Sequence, residues 1–156
     1  AMRLIAEQNS FDSAIDWLQS LEWDGVSRVA GFLTDHFGAA DTPYSGAVSR
    51  YWWTAHAGRI LCPGCQADMV PILVSPEGRY KSTTLQALVP KLEQFTEIDL
   101  SHKDADLSRR MRGVLLGELA ELRGLRGRTA EANKAWVTQR IEKWRRMYSE
   151  DMIRFP

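Results

Sequence analysis

Residues 71–84 constrain the fold of this chain more than any other stretch of the sequence. An apolar run, extending over residues 69–74, precedes a short loop, and Lys81 and Ser82 then begin a helical pattern. This order of strand, loop and helix is typical of a phosphate-binding loop. In such a loop, backbone N–H groups surround an anion, the lysine adds a charge and the hydroxyl ligates Mg²⁺. The segment therefore predicts an α/β fold around a P-loop NTPase-like parallel sheet.

The loop departs from the full pattern G-x-x-x-x-G-K-[ST] at both of its outer glycines. Ser75 stands at the first of these positions and Tyr80 at the second, whereas Gly78 remains inside the loop. Glycine suits both positions because the backbone has to approach the phosphates closely. A phenol at position 80 either crowds the phosphates or points away from them, and the sequence leaves both possibilities open.

Charge and cysteine content narrow the functional class. The 156 residues carry twenty basic and twenty acidic side chains, so the net charge is zero. This balance argues against bulk electrostatic attraction to nucleic acid, although a local basic patch remains compatible with it. Two cysteines do not make a disulfide-stapled secreted scaffold, and no apolar run reaches membrane-spanning length. We therefore expect a cytoplasmic protein that does not cross a membrane.

Apolar periodicity divides the chain into two regions that we expect to form one compact unit. Residues 1–66 are predicted to be a helical N-terminal region, and residues 67–156 a P-loop ATPase-like core that is cut short at its C-terminus. The first helix is expected to be capped by Asn9 or Ser10, and the third by Thr42 followed by Pro43. In the core, strands are predicted over residues 69–74, 95–98 and 113–117, and helices over residues 81–88, 104–112 and 129–146.

Two carboxylates follow the short apolar run at residues 113–117. Glu118 and Glu121 come directly after this predicted strand. A P-loop needs such a group at the end of a neighbouring strand to hold Mg²⁺, and a second carboxylate to orient the attacking water. Both could face the loop across the carboxyl edge of a parallel sheet, although acidic residues also favour the first turn of a solvated helix.

With the loop and the acidic pair together, the chain resembles the virulence-associated E proteins, which are P-loop ATPase domains of phages and mobile elements. The resemblance extends over residues 17–148 and depends on many weak matches that occur in the right order. They lie in residues 17–28, 41–44, 63–68, 77–83 and 118–122.

The resemblance implies a helicase-like ATPase related to superfamily 3 that hydrolyses ATP with Mg²⁺ during DNA replication of a phage or mobile element. Lys81 would contact the β- and γ-phosphates, Ser82 and Glu118 would hold Mg²⁺ through the nucleotide, and Glu118 and Glu121 would share catalysis. The predicted nucleotide-binding residues are Ser75, Glu77, Gly78, Arg79, Tyr80, Lys81, Ser82 and Thr83. Implied partners are single-stranded or replication-fork DNA, a primase module in the same or a neighbouring chain, and further copies in a homo-oligomeric ring. The cytoplasm would then be that of a bacterial host.

A second interpretation belongs to a different functional class. Ser75 and Tyr80 are compatible with a degenerate, catalytically inactive P-loop fold that serves as a nucleic-acid-binding or protein-interaction module. A basic cluster with interleaved tryptophans could follow a phosphate backbone and stack on bases, or it could be a solvated helical face. The cluster consists of Arg140, Lys143, Arg145 and Arg146. A further run of arginines and glycines at residues 123–128 predicts a flexible positive loop beside the metal site.

The two cysteines have the spacing of half a zinc site. Cys62 and Cys65 are separated by two residues, and His56 is the one nearby additional ligand. A structural zinc site needs four ligands, and the sequence contains no second Cys-x-x-Cys pair. We therefore expect two reduced thiols and no stoichiometric zinc.

Overall fold

Three helices lie in the described part of the N-terminal region. The computed structural model describes residues 12–145 and 152–155, with side chains described for residues 12–141. Helix α1 is Ser13–Ser20, and its cap is Asp12, whose Oδ1 accepts from the Ala14 N–H at 2.9 Å and the Ile15 N–H at 3.2 Å. The prediction of Asn9 or Ser10 as the cap of this helix is therefore wrong. Asp12 was overlooked because several residues that can act as caps are adjacent in the sequence.

Helix α2 (Phe32–Phe37) contacts helix α3 (Pro43–Leu61), and one of these contacts is a buried hydroxyl. Ser49 Oγ accepts from the Leu33 N–H at 3.3 Å, which joins the start of α2 to the middle of α3. The predicted cap of α3 is confirmed, since Thr42 Oγ1 accepts from the Ser45 N–H at 3.1 Å. These caps satisfy N–H groups that have no partner inside the helix.

An aromatic cluster packs α2 against α3. The ring centroid of Phe32 lies 5.7 Å from that of Trp52 and 4.9 Å from that of Trp53, both in edge-on arrangements. Helical spacing places the aromatic residues of α3 on one apolar stripe, which predicts that they pack in the core. Trp52 does so against Phe32, but the prediction is wrong for Tyr44, which is 79% exposed in the first turn of α3.

We expect the aromatic cluster to make stability depend on pH. His56 lies beside Trp53, with ring centroids 5.9 Å apart, and burial lowers the pKa of His56. The unfolded chain therefore binds the proton more readily, so stability should fall as pH drops through the ordinary histidine range near 6.5. In His56→Gln, the decrease in melting temperature between pH 7.5 and 5.5 should be smaller than in the wild type. An unchanged pH profile in this variant would contradict the assignment.

The core region contains a pair of parallel strands. Strand β1 (Phe95–Glu97) pairs with β2 (Leu116–Glu118) in the register Phe95 to Leu116 and Glu97 to Glu118. The Ile98 N–H extends the ladder by donating to Glu118 O at 2.7 Å. The parallel strand predicted at residues 113–117 is thus present, displaced towards Glu118, and the short strand predicted at residues 95–98 is confirmed.

Helices α4 and α5 flank these strands. Helix α4 is Lys81–Gln86 and helix α5 is Asp104–Arg110, both shorter than predicted. Leu107 of α5 is buried with Ile98 and Leu100, and Met111 packs against this cluster. The cluster anchors the segment that follows β1.

The apolar run before the loop does not form the strand that the sequence predicts. Residues 69–74 lie outside the strands of the described chain, and Val74 is 89% exposed. The Met69 N–H donates to Tyr51 Oη at 3.2 Å rather than to a neighbouring strand. Strand propensity identifies residues that suit a sheet, but a strand forms only where another strand accepts its hydrogen bonds. The P-loop NTPase-like core remains a prediction.

The C-terminal part is also different from its prediction. Helix α6 is Ala130–Val137, followed by β3 (Glu142–Arg145), which pairs antiparallel with β4 (Met152–Phe155). One long helix over residues 129–146 is therefore wrong. The helix ends at Val137, and residues 142–145 pair with residues 152–155, which requires the extended backbone of a strand. Within residues 12–145 and 152–155, no helix is long and apolar enough to cross a membrane.

Candidate functional site

The loop before α4 is a tight turn held by its last residue. Gly78 has a φ of 74° and Tyr80 a φ of 53°, so the backbone enters the left-handed region twice. The N–H and the Oγ1 of Thr84 both donate to Tyr80 O at 2.9 Å. Tyr80 therefore precedes the helix in a fixed conformation that glycine adopts more easily than tyrosine does. Thr84 was not identified as part of the site from the sequence, although its position four residues after Tyr80 suits this contact.

The phenol of Tyr80 lies in solvent. Its residue is 77% exposed, and this arrangement corresponds to the possibility that the side chain points away from the loop. Tyrosine in place of glycine at position 80 therefore strains the backbone of the loop, but its side chain does not fill the loop. A left-handed conformation costs an ordinary residue about 1–2 kcal/mol.

We expect Tyr80→Gly to be more stable than Tyr80→Ala by about 1 kcal/mol, since both remove the phenol and only glycine relieves the left-handed backbone. That difference corresponds to a melting temperature shift of roughly 2–4 °C for a chain of this size. Thermal unfolding of the two variants under identical conditions measures it. Equal melting temperatures would mean that Tyr80 does not hold a left-handed conformation in solution.

Lys81 is folded back onto the loop. Its Nζ donates to Ser75 O at 3.1 Å, to Ser75 Oγ at 2.8 Å and to Pro76 O at 3.2 Å. An ammonium group has three N–H donors, so these contacts can use all of them. Ser75, the residue that replaces the first glycine, supplies two of the three acceptors. A phosphate would have to take over some of these hydrogen bonds.

Ser82 is joined to Glu118 across the fold. Ser82 Oγ donates to Glu118 Oε1 at 2.8 Å, although the two residues are 36 positions apart in the sequence. Helix α4 carries the hydroxyl and the end of β2 carries the carboxylate. The other oxygen, Glu118 Oε2, is buried and has no hydrogen-bond partner among the described residues. A buried carboxylate oxygen without a partner is costly, so this atom is suited to a cation or to water.

The second predicted carboxylate lies elsewhere. Glu121 has a φ of 52° and a side chain that is 82% exposed, with Oε2 at 3.8 Å from Arg123 Nη2. Of the two predicted carboxylates, it is that of Glu118 which contacts Ser82 at the start of α4. Among residues 12–141, no group of three or more His, Cys, Asp or Glu side chains is arranged to hold a metal ion. The role of Glu121 in orienting water stays a prediction.

The other predicted loop residues lie on the surface of the turn. Glu77, Gly78, Arg79 and Thr83 are exposed, and Gly78 has space around its Cα for a side chain. Of the predicted loop residues, Ser75, Lys81 and Ser82 make the side-chain hydrogen bonds described above.

The loop at residues 123–128 is packed against the fold. The Leu100 N–H donates to Arg123 O at 3.3 Å, and Arg128 Nη1 lies 2.9 Å from Asp104 Oδ1. Gly124 has a φ of 79°, and a Cβ there would lie 2.8 Å from Leu100 Cα. The sequence had suggested a flexible loop because glycines alternate with arginines. The contacts show that Gly124 allows close backbone packing against Leu100 and Ser101.

The predicted nucleic-acid cluster is spread over different structures. Arg140 Nε donates to Gly64 O at 2.6 Å, which ties the residue to the turn after α3. Lys143 and Arg145 lie in β3 rather than on a helix, so the helical face proposed for them does not exist. Arg146 lies outside the described residues. Binding of DNA by these residues remains a prediction.

Comparison with known proteins identifies one family. The model of the virulence-associated protein E-like domain matches residues 18–156, which is most of the chain and includes both Ser82 and Glu118. A search of curated proteins with this chain found no match. Membership is compatible with a protein of a phage or mobile element. The chain belongs to the virulence-associated protein E-like domain family.

Proposed function

We propose that this domain binds ATP with Mg²⁺ and hydrolyses it as a helicase-like P-loop ATPase. The observation that carries the proposal is the 2.8 Å hydrogen bond between Ser82 Oγ and Glu118 Oε1. A P-loop enzyme holds Mg²⁺ between the hydroxyl that follows the lysine and an acidic residue at the end of a neighbouring strand. These two groups satisfy that requirement in both residue type and position.

The residues fit a nucleotide-bound Mg²⁺. This ion takes one or two protein ligands and completes its shell with waters and phosphates, so a large acidic cluster is not required. Ser82 Oγ and Glu118 would hold it, and the buried Glu118 Oε2 would gain a partner. The ion would supply positive charge against the phosphates. Lys81 would exchange acceptors of Ser75 and Pro76 for phosphate oxygens.

The wider role is a proposal from family resemblance. DNA replication in a phage or mobile element, single-stranded or fork DNA as a partner, a ring of copies and a linked primase module all belong to this resemblance. Family membership supports the phage or mobile element as the source of the domain, and the partners are proposed from the resemblance alone.

An inactive P-loop fold is the second candidate, and two observations favour it. Tyr80 holds a left-handed conformation at a cost, and Lys81 is engaged by the loop itself. Both would weaken phosphate binding. In this case the domain would serve as a nucleic-acid-binding or protein-interaction module.

Melting temperature with Mg·ATP distinguishes the candidates. A ligand at one hundred times its Kd stabilises a protein by about 2.7 kcal/mol, so we expect the wild type to melt roughly 5–10 °C higher. ATP with a chelator and Mg²⁺ alone should have smaller effects. If neither the wild type nor Tyr80→Gly shifts, the ATPase proposal fails and the inactive module stands.

We expect Glu118→Gln to reduce ATP hydrolysis about 100-fold while nucleotide affinity changes less. The amide keeps the shape of the side chain but removes the charge that holds the metal during phosphoryl transfer. Glu131→Gln is the matched control, since Glu131 is exposed in the first turn of α6. Steady-state phosphate release and the Mg·ATP melting shift measure the two effects. Full hydrolysis by Glu118→Gln would rule out this residue.

A further inference from the structure

The two cysteines lie at the ends of one β-turn. Cys62 follows the last residue of α3, and the Cys65 N–H donates to Cys62 O at 3.0 Å. Pro63 and Gly64 are the central residues, and Gly64 has a φ of 79°. Proline followed by a residue with φ near +80° is the arrangement of a type II turn. The fold therefore holds Cys62 and Cys65 in a closed turn.

This turn brings the cysteine backbones within disulfide range. The first and fourth Cα atoms of a β-turn lie less than about 7 Å apart, and disulfides join Cα atoms up to about 6.8 Å apart. Both cysteines also lie next to Gly58 of α3. The Cys62 N–H donates to Gly58 O at 2.8 Å. A Cβ at Gly58 would lie 3.5 Å from Cys65 Sγ. The Cys65 sulfur thus packs over the helical turn from which Cys62 emerges.

The pair differs in access to solvent. Cys62 is exposed and Cys65 is half-buried, and both are reduced. An exposed thiolate can attack a disulfide that arrives from solution, whereas a half-buried one is better placed to react with its neighbour. Arg140 steadies the turn through the 2.6 Å hydrogen bond from its Nε to Gly64 O.

We propose that Cys62 and Cys65 form a reversible thiol–disulfide exchange site whose oxidant is a low-molecular-weight disulfide. The Cys62 thiolate attacks one sulfur of the small disulfide, whose S–S bond breaks and releases one small thiol. The Cys65 thiolate then attacks the Cys62 sulfur of the mixed disulfide and displaces the second small thiol. Two protein thiols are oxidised, one small disulfide is reduced to two thiols, and the thiol protons pass to the leaving groups.

Oxidation would lock the junction between the helical region and the loop. Cys65 begins the segment that leads to Ser75 and Lys81, while Cys62 belongs to the end of α3. A covalent bond between them prevents the turn from opening. The site is independent of nucleotide binding, so it can be present whichever function the loop has.

Equilibration of the chain with oxidised and reduced glutathione tests the proposal. After acid quenching and alkylation, mass spectrometry should show an intramolecular disulfide, about 2 Da lighter than the dithiol, with little glutathione adduct. The equilibrium constant should be at least about 10-fold larger in the folded chain than in guanidinium chloride, because only the folded chain holds the turn closed. Equal constants in the two conditions would overturn the proposal.

Two variants sharpen the test. Gly64→Ala keeps both thiols but opposes the positive φ, a strain that the dithiol can relieve by opening the turn and the disulfide cannot, so its folded-state constant should fall roughly 5- to 10-fold. Cys65→Ser should stop at the glutathione adduct on Cys62. A disulfide that links two chains, or one zinc ion per chain that is lost in Cys65→Ser, would assign the cysteines another role.

Discussion

Lys81→Ala is expected to lower the affinity for Mg·ATP by about 10- to 150-fold and to leave the fold intact. A hydrogen bond to a charged group contributes about 1.5–3 kcal/mol, and each 1.4 kcal/mol is a factor of ten in affinity. Without nucleotide, Lys81 Nζ donates to acceptors of Ser75 and Pro76, two exposed residues. Water can replace those contacts, so the melting temperature without nucleotide should hardly change.

A matched control is Lys134→Ala, which removes the same charge from an exposed residue of α6 and should keep full affinity. Ser75→Ala is a second probe, because it removes one acceptor that competes for the Lys81 ammonium. We expect it to raise affinity about 2- to 10-fold, in line with the net strength of one hydrogen bond. Calorimetric titration measures all three variants. Wild-type affinity in Lys81→Ala would show that the loop does not bind the phosphates.

Gly124→Ala is expected to destabilise the chain by about 2–5 kcal/mol. A left-handed conformation costs alanine about 1–2 kcal/mol, and overpacking adds about 1–3 kcal/mol. The added Cβ would lie 2.8 Å from Leu100 Cα and would also press on the Ser101 N–H. These are backbone atoms beside a side chain that is only 2% exposed, so they cannot move aside cheaply.

Gly127→Ala is the control for this prediction. It lies in the same loop, and a Cβ there would have no heavy atom within 4 Å. Its stability should stay within about 0.5 kcal/mol of the wild type. Urea unfolding of both variants measures the difference. If Gly124→Ala were as stable as Gly127→Ala, the close packing of this loop on Leu100 would be wrong.

Short-range signals were predicted well from the sequence. Thr42 and Pro43 begin α3, because capping depends on the residue and its immediate neighbours. Both strands of the parallel pair were predicted, the second of them from the apolar run at residues 113–117, although their bounds moved by a few residues. Local preference was insufficient at residues 69–74 and 129–146. At these positions the backbone depended on a partner strand, since residues 142–145 pair with residues 152–155, whereas residues 69–74 lie outside the strands of the described chain.

The sequence by itself determined the residue types at the candidate site: a lysine and a serine at the start of a helix, and glutamates after an apolar run. Only the tertiary structure decided that Glu118, and not Glu121, reaches Ser82. It also decided that Tyr80 points to solvent and that Gly124 packs on Leu100. The physical reason is the separation along the sequence over which each interaction acts. Capping and periodicity act over one helical turn, whereas the Ser82–Glu118 hydrogen bond spans 36 residues and depends on how α4 packs against β2.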